Sequence, residues 1–73
     1  MREQRDEIRL KLYRNQLTNN WLNARLAERG VSADNSELSS VLRGVRKGPK
    51  ADNIIATAVE ILQHYEQVMG VKQ

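Results

Sequence analysis

Apolar residues recur along this chain every three or four positions, and no stretch alternates apolar and polar for long enough to make a strand. The spacing predicts helices throughout. Ile8 and Leu12 form one stripe, with Leu10, Tyr13 and Leu17 on an adjoining one, which places a first helix over about Glu3 to Asn15. Leu22 and Leu26 share a face that Trp21 flanks. Thr18 ahead of them is a favourable N-cap and Gly30 behind them a favourable stop, so a second helix is expected from roughly Asn19 to Glu28. Val31 to Asn35 reads as a turn, because Ser, Asp and Asn side chains compete with regular backbone hydrogen bonding.

A third, short helix follows, with Leu38, Val41 and Leu42 as its buried side and Gly44 as its end. Asp34 and Glu37 have capping-box spacing, although Asn35 or Ser36 would cap equally well. Ser36, Glu37, Ser39, Ser40 and Arg43 are left to face outward, a small and polar surface. Gly48-Pro49 starts a last helix, since proline at the first helical position gives up no hydrogen bond. It should span Pro49 to about Met69, where Ile54, Ala58, Ile61, Leu62, Tyr65, Val68 and Met69 keep helical spacing and Ile55 and Val59 widen the stripe. So broad a stripe serves either to close the core of one chain or to form the seam of a homodimer.

With 73 residues there is room for one domain. A core this small supplies roughly 3 to 5 kcal/mol of net stability. The absence of cysteine excludes disulfides and cysteine-based zinc sites, and one histidine, His64, makes no multi-histidine site, so neither metal nor other cofactor is expected. Glu60 and His64 lie one helical turn apart, a spacing that reads as a surface contact and not as acid–base machinery. Trp21 has too few aromatic neighbours in the sequence to build a stacking platform and reads as core. The expectation is a non-enzymatic, cytoplasmic protein without membrane attachment, because the start is charged and no apolar run approaches spanning length.

Charge changes the picture more. The net charge is +3, but no acidic residue falls between Glu37 and Asp52, where Arg43, Arg46, Lys47 and Lys50 cluster. The positive potential is therefore local. Arg2, Arg5, Arg9, Lys11 and Arg14 alternate with Glu3, Asp6 and Glu7 and read as an ordinary solvated helix face.

Two helices joined by a turn, the second short, polar outside and followed by basic residues, make the order in which a recognition helix is offered to the DNA major groove. Leu17-Thr18, Trp21-Leu22, Leu26, Gly30-Val31, Leu38-Ser39, Val41-Leu42 and Arg43-Gly44 resemble the helix-turn-helix of the Cro and repressor proteins of temperate phages, the lambda-repressor-like or XRE family, which includes small antirepressors. Arg46-Lys47-Gly48-Pro49-Lys50-Ala51 looks like the linker of some phage members. The interval from Leu26 to Leu38 is longer than usual there, which calls for a longer helix or an extended turn. The resemblance implies an all-α, four- to five-helix domain over residues 1–73, with the helix-turn-helix at about 18–44 and the long C-terminal helix at about 49–69.

It also implies roles. Asn35, Ser36, Glu37, Ser39, Ser40 and Arg43 correspond to residues that read bases or a partner, and Glu37 serves equally as a capping residue. Thr18, Asn19 and Asn20 lie where the family clamps a phosphate with a helix N-terminus, or simply caps it. Arg46, Lys47 and Lys50 are phosphate candidates, as is Arg43; four such contacts give a salt slope of roughly −3 to −4. The expected function is a phage or bacterial transcription regulator binding operator DNA in a lysis–lysogeny type of switch. The alternative is an antirepressor that binds a phage repressor protein through the same surface, an acidic tip at Asp34 and Glu37 standing in for DNA charge.

Overall fold

The computed structural model describes residues 2–31 and 33–69, and these form four α-helices and no strand. α1 spans Arg2–Arg14, α2 Asn19–Glu28, α3 Asn35–Leu42 and α4 Pro49–Met69. Each boundary lies within about two residues of the one read from apolar spacing and caps, the usual latitude at helix ends.

Local side-chain chemistry sets the starts. Thr18 Oγ1 accepts the Trp21 N–H at 3.1 Å at the head of α2, and an Asp34 carboxylate oxygen accepts the Glu37 N–H at 2.7 Å at the head of α3. Asp34 is therefore the cap of α3, and Asn35 is its first residue instead of the last residue of the turn. Glu37 contributes its backbone to that cap while its side chain goes elsewhere.

Three helices end in one way. The N–H groups of Leu17, Val31 and Val45 reach back to the carbonyls of Leu12, Leu26 and Ser40, and those of Gln16, Gly30 and Gly44 to the carbonyls of Tyr13, Ala27 and Val41. This Schellman arrangement needs a left-handed residue at its second-last position. Gly30 and Gly44 take it at φ +78° and +80°, but the end of α1 places Gln16 there at φ +57°. A side chain in that region costs roughly 1–2 kcal/mol, and glycine gives back part of the gain through its freer unfolded state. Because Gln16 is exposed and its side chain makes no hydrogen bond among the described residues, Gln16→Gly is expected to stabilise the chain by about 0.5–1 kcal/mol. Urea unfolding would register a higher midpoint at unchanged slope.

α4 packs against all three other helices, and α3 also touches α1 and α2. Leu22, Leu26, Leu38, Val41, Ile54 and Leu62 are fully buried where they meet, together with Ile8 of α1. On α1 only the Ile8–Leu12 stripe is covered; Leu10 and Tyr13, on the adjoining stripe, are 57% and 84% exposed, because α3 and α4 cover the Ile8–Leu12 stripe alone. The broad stripe of α4 is likewise covered only in part, leaving Val68 and Met69 exposed while Trp21 packs edge-on to Tyr65 with ring centres 5.3 Å apart.

The N-terminal charges are not all solvated. Lys11 is 5% exposed and Glu66, on α4, 2%. Arg14 grips the Glu66 carboxylate with Nε at 3.3 Å and Nη2 at 2.7 and 3.0 Å, Asn15 Nδ2 donates to it at 2.8 Å, and Lys11 Nζ stands 3.6 Å away while holding Glu7 at 3.0 Å. Burial by itself pushes the Glu66 carboxyl up. The hydrogen bonds from Arg14 and Asn15 and the charges of Arg14 and Lys11 outweigh it, and the group is lowered from 4.5 to about 2. Among the described residues, no helix is long and apolar enough to cross a membrane.

Candidate nucleic-acid interface

Burying Leu38, Val41 and Leu42 turns the opposite side of α3 outward, one helical turn after another: Ser36, then Ser39 and Ser40, then Arg43. Ser36 and Arg43 are exposed, whereas Ser39 and Ser40 are half-buried, which makes the face shallower than the sequence implies. The Ser40 carbonyl also receives the N–H groups of Val45 and, at 3.3 Å, Arg46, so the basic segment turns back over the end of α3.

Contacts join this face to the head of α2. Asn35 Nδ2 donates to Asn20 Oδ1, and Asn23 Nδ2 donates to Asn35 Oδ1 at 2.7 Å. Three asparagines thus tie the first turn of α3 to α2 across the connection between them. Asn35 and Asn20 are both exposed. The role of Asn23 was not legible in the sequence, because its partner lies twelve residues away. Thr18 is spent on its cap, and Asn19, half-buried beside it, shares the first turn of α2 with Asn20.

At the other side of α3, Glu37 is drawn against the basic segment. Its carboxylate accepts from Lys50 Nζ at 3.2 Å and lies 3.7 Å from Arg46 Nη1, with 15% of the side chain exposed. Glu37 is therefore neither a free acidic tip nor the capping side chain. Lys50 and Arg46 remain 61% and 57% exposed, so a stronger anion can still reach them. Arg43 and Lys47 make no ion pair among the described residues. The result is one band: Thr18, Asn19 and Asn20 at the head of α2, Asn35, Ser36, Ser39, Ser40 and Arg43 along α3, and Arg46, Lys47 and Lys50 after it.

Arg5 is a second residue whose place was not legible in the sequence. It comes from α1, yet its guanidinium lies over Gly44, so close that a Cβ there would stand 3.0 Å from Arg5 Nη2. Glu60 and His64 form no pair; Glu60 meets Arg29 at 3.5 Å across the α2–α4 contact. No group of three or more His, Cys, Asp or Glu able to hold a metal ion occurs among the described residues. No protein family, curated protein or solved structure matches the chain.

Proposed function

We propose that this chain is a helix-turn-helix transcription regulator of the lambda-repressor-like kind, α2 and α3 forming the motif and α3 entering the major groove of operator DNA. The observation that carries this reading is the continuous band, in which a hydroxyl-rich helix face is flanked by a helix N-terminus on one side and by cations on the other. Arg43 at its far end has the fork geometry for guanine, and Ser36, Ser39 and Ser40 admit several base edges. The N–H groups of Asn19 and Asn20, in the first turn of α2, face no acceptor within the helix and suit a phosphate. Arg46, Lys47 and Lys50 supply affinity without sequence preference.

The same band bears on the antirepressor alternative. That reading needs acidic surface at the tip of α3, but Asp34 caps the helix and Glu37 is held by Lys50 and Arg46. DNA is the better-matched ligand. A phosphate that displaces Glu37 must outcompete a nearby carboxylate, which keeps binding by one domain weak and favours two copies on a repeated half-site.

Fluorescence anisotropy against duplex DNA flanking the protein's own gene tests the reading. Binding should saturate and weaken with added salt, by about 0.9 in log–log slope for each phosphate neutralised. Arg46→Ala with Lys47→Ala should flatten that slope by about two and weaken every sequence alike. Arg43→Ala should instead relax the preference at one position. Absence of any duplex binding at low salt sinks the proposal.

A further inference from the structure

Arg5, Arg46 and Lys47 converge on a cleft of about 430 Å³ beside the start of α4, lined also by Gly48, Ala51 and Asp52. These cations come from two segments that are remote in sequence, α1 and the connection ahead of α4. The side chains of Arg5 and Lys47 make no hydrogen bond or ion pair among the described residues, and the Arg46 side chain has only the 3.7 Å contact to Glu37. Three positive charges thus line the cleft against one lining carboxylate, that of Asp52, while Glu37 meets Arg46 from outside it.

The cleft is also prepared in shape. Arg5 is half-buried and its guanidinium lies against Gly44 with no charged partner, so part of the ordering an anion would require is already made. Gly48, at φ +125°, has nothing within 4 Å of where a Cβ would project, so its backbone is open to close approach. A planar guanidinium with five donors matches the tetrahedral oxygens of a phosphate, and two further cations complete the charge balance.

We propose that this cleft is a phosphate-binding site anchored by Arg5. In an extension of the DNA reading, on which this assignment of source rests, the phosphate belongs to the duplex backbone past the C-terminal end of α3. A free phosphate ion offers the same chemistry.

The test has two arms. In the first, anisotropy against duplex at several salt concentrations compares wild type with Arg5→Gln and Arg5→Lys. The glutamine variant should flatten the log–log slope by about one, and the lysine variant should restore it. In the second, amide spectra follow addition of inorganic phosphate against chloride at equal ionic strength; the signals of Lys47, Gly48, Lys50, Ala51 and Asp52 should shift saturably in wild type and not in Arg5→Gln. The lysine variant and a thermal melt of each protein separate loss of charge from loss of fold. If phosphate shifts those amides but no duplex binds, the site stands and the DNA reading falls. If duplex binds and Arg5→Gln matches wild type in both arms, the site falls and the DNA reading stands. Silence in both arms overturns both.

Discussion

Replacing Glu66 by glutamine is expected to lower the stability of the fold by about 3 kcal/mol, the lower end of what breaking a buried ion pair costs. The substitution keeps an oxygen for Arg14 or Asn15 but withdraws the charge that both Arg14 and Lys11 face. Lys11 is then left 5% exposed with only Glu7 beside it. In a core that provides roughly 3 to 5 kcal/mol in all, such a loss consumes most of the margin, and the melting temperature should fall by more than roughly 10 °C.

Acid should reproduce the effect in the unaltered chain. The folded-state value of Glu66, about 2, lies below its ordinary 4.5, so the folded state favours the ionised form. The stabilisation is fully present above 4.5 and is lost as pH falls from there through about 2, since only the unfolded chain gains a proton readily in that window. Urea unfolding of both proteins from neutral pH downward would reveal it: wild type should approach the glutamine variant as pH drops. A gap independent of pH would show that packing, and not charge, ties α1 to α4.

Leu38→Ala is expected to cost about 2 to 5 kcal/mol and to leave the chain largely unfolded at 25 °C. Leu38 is fully buried, on an eight-residue helix too short to persist without tertiary contacts. Cutting it back removes transfer energy and leaves a void where α3 meets the other helices, all of which touch it. Leu38→Met keeps nearly the same volume and should cost less than about 1.5 kcal/mol. Circular dichroism and amide dispersion distinguish these outcomes. Loss of the proposed DNA binding in the alanine variant would report a missing fold, whereas Arg43, Arg46 and Lys47 are exposed and can be altered without that penalty.

The features legible in the sequence were those decided within a few residues. The Thr18 cap, the Gly30 and Gly44 ends and the Pro49 start all act over three to five positions of chain. The stripe of α4 is equally local, because side chains three and four apart share a helix face whatever surrounds them. Gln16 was invisible for the opposite reason: its left-handed conformation is imposed by the path the chain must take into α2, not by a preference of glutamine.

The all-helical class, the approximate spans of the helices and the glycine ends of α2 and α3 were thus determined by the sequence alone, as was the clustering of Arg43, Arg46, Lys47 and Lys50. Only the tertiary structure decided which charges are solvated and which are spent. Lys11 and Arg14 read as surface cations until Glu66, some fifty residues on, is brought between them; Glu37 reads as an acidic tip until Lys50 closes on it; Arg5 reads as one more N-terminal charge until it meets Gly44. The physical reason is that a helix face is a property of spacing. The state of a charge depends on how much water it keeps and which opposite charge it meets, and both are set by chain segments far away in sequence.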